Sequence, residues 1–158
     1  MSRPQLLAEL LVPGVGASVS LLRLCVGRIL TAAGHRDVDD VRLVVSELAT
    51  NAVSHSRSGR PGGFVILEVS AIGDALARVE VIDEGGITIP RPRQAGEGEG
   101  NGRGLHLVDE LSVRWGVDPG PLGGCVVWAE VLTAEDTPAA AADVVLVPGA
   151  GAKGETSV

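Results

Sequence analysis

The chain has 158 residues, 45% hydrophobic and 21% charged, enough apolar material for one packed domain and unlike either a disordered acidic tail or a membrane protein. A net charge of −7 opposes the phosphate-neutralising attraction on which nucleic-acid binding rests. Only Lys153 among the 13 basic residues is a lysine, which excludes a lysine phosphate loop, a Schiff-base lysine and a lysine-rich membrane patch from the folded part.

The aromatic residues are Phe64, Trp115 and Trp128, so the core must be built from Leu, Val, Ile and Ala. Cys25 and Cys125 lie in apolar surroundings with no Cys or His at ligand spacing; they read as reduced small hydrophobes rather than a disulfide or metal pair, which fits a cytoplasmic protein. Near the N-terminus, Glu9 and Pro13 interrupt the apolar stretch, and no run reaches the ~18 residues of a membrane span, so neither export nor a membrane anchor is expected.

In chain order, residues 5–12 end at Pro13-Gly14 and read as either a strand or a short helix. From Ser18 to Ala33, Val19, Leu22, Val26, Ile29 and Leu30 recur at three- and four-residue steps, and Gly34 follows where a C-terminal cap belongs. A second helix, capped by Asp37 or Asp39, runs to about Ser56 with an apolar face of Val41, Val44, Val45, Leu48, Ala49 and Ala52. Residues 64–72 and 75–83 predict an antiparallel hairpin about Gly73-Asp74. From Glu84 to Gly102 the chain is a long glycine-rich loop without apolar periodicity. Helical spacing resumes at Leu105, and Val113–Val117 and Cys125–Leu132 predict two further strands. Beyond Thr133 an Ala/Gly/Pro-rich tail is expected to be disordered, apart from a strand-like run at 144–147. The pattern predicts an α+β two-layer sandwich, with helices on one face of a mixed or antiparallel sheet.

Three places carry side chains suited to chemistry. On the second helix Glu47 and Asn51 are one turn apart on one face, and His55 continues the line. Such residues are ordinary on a solvated face, yet a carboxylate stacked on an amide oxygen also offers hard ligands for a magnesium-bound phosphate. At the end of the second hairpin strand, Asp83-Glu84-Gly85-Gly86 reads as a turn, or as a carboxylate that accepts a hydrogen bond from an exocyclic amine beside glycines that let a planar ring approach. Gly100-Asn101-Gly102-Arg103-Gly104-Leu105 opens a helix, where backbone N–H groups favour an anion; a flexible linker would look the same.

Taken in order, Glu47-Leu48-Ala49-Thr50-Asn51-Ala52, Asp83-Glu84-Gly85-Gly86 and Gly102-Arg103-Gly104-Leu105 resemble the asparagine box and two glycine boxes of the GHKL (Bergerat-fold) ATPases. The segment from Val45 to Val53 and the closing Val127-Trp128-Ala129-Glu130 most resemble the anti-sigma-factor serine kinases of the RsbW type, especially the small stand-alone ATP-binding regulators of actinobacteria. The resemblance covers roughly residues 15–132, leaving 1–14 as an N-terminal segment and 133–158 as a tail. It implies the histidine-kinase-like ATPase fold and an ATP site in which Asn51 holds magnesium, Glu47 is the general base and Asp83 reads the adenine amine. Gly85, Gly86, Gly102, Arg103, Gly104 and Leu105 would line that site, with residues 86–102 as a nucleotide lid.

The resemblance further implies a serine/threonine kinase and anti-sigma factor in transcription regulation. It would phosphorylate a serine on an anti-anti-sigma partner or sequester a sigma factor, without touching nucleic acid or membrane, and as a homodimer by the same resemblance. The alternative is a non-catalytic ATP-binding partner-switch module that sequesters a regulator without turnover. The first glycine box departs from the family pattern of alternating glycines, since Gly85 is followed directly by Gly86 and Ile87.

Overall fold

A computed structural model describes residues 3–85 and 101–134, with the backbone alone for 101–104. Most of the predicted lid, Gly86 included, and the tail beyond residue 134 with its strand-like run lie outside the described residues, as do the side chains of Asn101 and Arg103.

The ambiguous first segment is a strand, β1 (Gln5–Pro13). Its register against the next strand shifts between Leu6 and Ala8, a bulge that breaks the two-residue alternation and explains why Leu6-Leu7 fits neither period. Helix α1 (Gly16–Ala32) buries Leu22, Val26 and Leu30 along one stripe. It ends in a Schellman motif: Gly34 adopts φ +98°, its N–H donates to the Thr31 carbonyl, and the His35 N–H donates to Leu30 at 2.9 Å. Helix α2 (Asp39–His55) has Val38 at its N-cap; no side chain caps it, but Asp37 accepts from the Asp39 N–H at 3.2 Å, and Asp39 and Asp40 in the first turn suit the helix dipole.

After a short 3₁₀ turn at Arg57–Gly59 come β2 (Phe64–Ile72) and β3 (Leu76–Ile82), the predicted hairpin, turning through Gly73 at φ +66°. Helix α3 (Asn101–Leu111) starts four residues before the apolar spacing resumes, so the second glycine box is its first turn. The hairpin β4 (Arg114–Pro119) and β5 (Cys125–Leu132) completes the chain.

The five strands run in the order β1-β2-β3-β5-β4, every pair antiparallel rather than mixed. Period-two alternation on the central strands sends Val65, Leu67, Val69, Ala77, Val79, Val81, Val127, Ala129 and Val131 to one face. There they merge with Leu22, Val26 and Leu30 of α1, Val41, Val44, Val45 and Leu48 of α2, and Leu105 and Val108 of α3 in one aliphatic core, as the near absence of aromatics requires. The insertion of β5 between β3 and β4 sets the end of β3 beside the start of β5, and α2 packs against both β3 and α3.

Buried Thr133, just past β5, is fastened to the α1–α2 corner. Its carbonyl accepts from the Asp37 N–H at 3.0 Å, and its Oγ1 lies 2.5 Å from Nδ1 of buried His35. On the opposite sheet face Glu130, its side chain 4% exposed, accepts from Arg78 Nη1 and Arg114 Nε, each at 2.7 Å. Trp128 lies under Arg78 at 4.2 Å, so Trp128 and Glu130 of the closing motif face away from the helices.

Candidate functional site

The inner face of α2 is consumed by the core, which leaves Glu47, Asn51 and His55 on a flanking line. That line is not the solvated face such residues ordinarily occupy. Asn51 is only 8% exposed, and among the described residues its Nδ2 has no hydrogen-bond partner, nor has the buried Nε2 of half-buried His55; Glu47 is half-buried. An amide buried without a partner costs on the order of 1–3 kcal/mol. The outward face of α2 is instead taken by exposed Leu43, Thr50 and Ser54, so α2 carries that cost on its flank.

Asp83 follows β3 and is 5% exposed. Its N–H donates to the Cys125 carbonyl at 3.0 Å, and its Oδ1 accepts from the Gly85 N–H at 2.8 Å and the Cys125 N–H at 3.2 Å. One carboxylate oxygen is thereby locked by two amides, which fixes the direction of the other. Gly85 adopts φ +96°, and a Cβ on Gly124 would lie 2.1 Å from the Gly85 nitrogen and 2.3 Å from Asp83 Oδ1. Gly124 is thus as necessary to this corner as Gly85. Its only sequence signal is the Gly123-Gly124 pair before β5, which reads as a plain hairpin turn.

Cys25 and Cys125 are both free thiols, half-buried rather than buried. Burial, then the negative charge of Asp83, push the Cys125 thiol above its ordinary range, which keeps it protonated and inert.

The α2 end and the Asp83 turn are stitched together. The Ser56 hydroxyl donates to the Ala52 carbonyl at 2.6 Å and accepts from the Ser58 N–H at 3.0 Å. Ser58, fully buried, accepts from the Glu84 N–H at 3.0 Å; Glu84 Oε1 accepts from the Phe64 N–H at 2.7 Å; and the Arg57 N–H donates to the Gly85 carbonyl. Leu105 is buried in the core, so the second glycine box is held by α3 against α2. Asn51, Asp83 and the box residues therefore come from contiguous elements.

These three boxes on this antiparallel sheet have a counterpart among known proteins: residues 16–129 match the family described as the histidine kinase-like ATPase domain. The chain belongs to that family. Within it, the chain is similar to the serine-protein kinase RsbW of Bacillus pumilus, 30% identical over 110 residues that cover 67% of this chain and 66% of the relative. RsbW of Bacillus licheniformis is 30% identical over 106 residues, 66% of this chain and 64% of that protein. RsbW of Staphylococcus aureus is 30% identical over 80 residues, 49% and 50% of the two chains. The chain thus spans just under two thirds of the length of the Bacillus relatives and half that of the staphylococcal one.

As a member of the histidine kinase-like ATPase family the chain is expected to take a nucleotide, and its residues fit one with magnesium. Among the described residues no three His, Cys, Asp or Glu side chains gather into a metal cage. Magnesium commonly keeps several waters and takes one or two protein oxygens beside substrate phosphates. A single buried carboxamide with Glu47 one turn away suits that demand. No described helix is long and apolar enough to cross a membrane.

Proposed function

We propose that this histidine kinase-like ATPase domain binds ATP with magnesium and transfers the γ-phosphoryl group to a serine of a protein partner, acting as an anti-sigma factor. The observation that carries the reading is Asn51: a nearly buried amide whose nitrogen has no partner among the described residues, one helical turn from a half-buried carboxylate. Asn51 and the phosphates would hold the metal, which when bound neutralises charge on the transferring group. Asp83, one oxygen held by the Gly85 and Cys125 amides, would accept from the exocyclic amine of adenine through the other. The amides of the first turn of α3, with Arg103 and the lid from Gly86 to Gly102, would take the phosphates.

In this reading Glu47 acts on the incoming hydroxyl. As the serine oxygen bonds to the γ-phosphorus, the bond from that phosphorus to the bridging oxygen breaks, ADP leaves, and the hydroxyl proton passes to the Glu47 carboxylate. The similarity to RsbW serine-protein kinases supports the choice of a serine acceptor. A sigma factor and an anti-anti-sigma protein are the partners proposed, with a homodimer as the assembly and the cytoplasm as the compartment.

Calorimetric titration with ATP, with and without magnesium, tests the pocket in the parent and in Asp83→Ala and Asn51→Ala. Magnesium-dependent binding lost in both variants supports it; no binding at millimolar ATP refutes it. Partner phosphorylation abolished in Glu47→Ala supports the kinase step, and phosphorylation unchanged in that variant refutes it.

A further inference from the structure

Asp83 is anchored from two sides, and the second side reaches the helix that carries Asn51. On the β5 side the Cys125 amide holds its Oδ1. On the α2 side a continuous run of bonds leads back to that helix: Ala52 carbonyl to Ser56 hydroxyl, Ser56 hydroxyl to Ser58 N–H, Ser58 hydroxyl to Glu84 N–H. The Arg57 N–H on the Gly85 carbonyl and the Phe64 N–H on Glu84 Oε1 close the loop from both flanks. Ser58 is fully buried among these contacts, whereas its neighbours in the run, Ser56 and Glu84, are half-buried. The residues next to Asn51 and next to Asp83 are thus bonded to each other through two side chains, Ser56 and Ser58, while the Glu84 carboxylate ties the same turn to the start of β2.

We infer that Ser58 and Glu84 are positioning residues that set Asp83 for reading the base, Ser58 latching the base-recognition corner to the end of the Asn51 helix and the Glu84 carboxylate pinning it to the start of β2. The inference rests on the nucleotide reading above. Without the Ser58 hydroxyl, the Glu84 N–H is left without an acceptor and the 83–85 turn keeps only the Arg57 N–H bond to Gly85 as its tie to the α2 end. The Asp83 oxygen then leaves its line toward the amine while the phosphate contacts, carried by α2 and α3, persist. A single well-aligned hydrogen bond corresponds to roughly a tenfold affinity ratio.

The test compares binding of ATP and of purine riboside triphosphate, which lacks the exocyclic amine, by calorimetry on the whole chain. The parent is expected to prefer ATP about tenfold, and Asp83→Ala to erase the preference. In Ser58→Ala the preference falls to twofold or less while affinity for the amine-free nucleotide stays within twofold. Glu84→Ala behaves in the same way, and Glu84→Gln, which keeps an acceptor oxygen for the Phe64 N–H, retains the preference. Should Ser58→Ala lose its cooperative melt, the Glu84→Ala and Glu84→Gln pair decides. A preserved preference in folded Ser58→Ala or Glu84→Ala, or a parallel loss for both nucleotides in them, overturns the latch alone. A parent that binds neither nucleotide, or binds both equally, overturns the base-recognition reading and the latch with it.

Discussion

Removing the Glu130 carboxylate tests how much of the sheet's stability rests on its outer face. The side chain is 4% exposed and accepts from Arg78 Nη1 at 2.7 Å and from Arg114 at 2.7 and 3.2 Å. Breaking a buried pair by deleting one partner costs about 3–5 kcal/mol. Arg114 is 62% exposed, so water screens its arm. Glu130→Ala is therefore expected near the lower bound, about 3 kcal/mol, and to lower Tm by roughly 10 °C. Glu130→Gln keeps an acceptor but not the charge and is expected to cost about 1–2 kcal/mol.

The hydrogen bond from Arg114, against the opposing effect of burial and with help from Arg78, holds the Glu130 carboxyl below its ordinary 4.5. A depressed folded pKa gives stability that is present above the unfolded value and lost as pH falls. The gap between parent and Glu130→Gln should thus be largest at neutral pH and close as pH drops below about 4.5. Urea unfolding followed by circular dichroism between pH 7 and 3 reads this directly. Equal stabilities at pH 7, or a gap that widens on acidification, would refute the reasoning.

On the same face Glu9, Glu68 and Glu80 stand in one cross-strand row. Burial first, then a proton shared with Glu9 and the charge of Glu80, raise the Glu68 carboxyl above 4.5, so its contribution is full at acid pH and is lost as pH rises. Glu68→Gln is expected to stabilise the fold at pH 7 by up to about 1 kcal/mol and to be neutral at pH 4, checked by the same urea titrations. Gly124→Ala drives a Cβ to 2.1 Å from the Gly85 nitrogen; a loss of roughly 1–3 kcal/mol by thermal melt should come with weakened ATP binding by calorimetry. Thr133→Val leaves the His35 ring without its buried partner and should cost about 1–3 kcal/mol in chemical denaturation, with nucleotide affinity unchanged.

Where the local period and the tertiary demand agree, the sequence is legible. The stripe Leu22, Val26, Leu30 and the glycine after it marked α1 and its Schellman end, and alternation on β2, β3 and β5 marked the sheet. Where one residue breaks the period, legibility stops: the bulge at Leu7 disguised β1, and Gly102 and Gly104 hid the first turn of α3 behind a spacing that resumes only at Leu105. The candidate site divides in the same way. Glu47, Asn51 and Asp83 are visible because their chemistry stands out from their neighbours. Gly124 and Ser58 are not, because a close backbone approach and a buried hydroxyl acceptor exist only once β5 and the α2 end are brought against residues 83–85.

The scarcity of aromatic rings has an optical consequence. Trp115 donates its indole N–H to Asp109 of α3 at 2.9 Å, whereas Trp128 lies beneath Arg78 on the far side of the sheet and donates to Asp118 at 3.1 Å. With no tyrosine in the chain, the near-ultraviolet emission comes from two indoles on opposite faces of the sheet. Replacing Trp128 with Phe leaves one fluorophore, tethered to the helix whose first turn is the second glycine box. Its quantum yield would then follow that helix in real time, label-free, as nucleotide is mixed in.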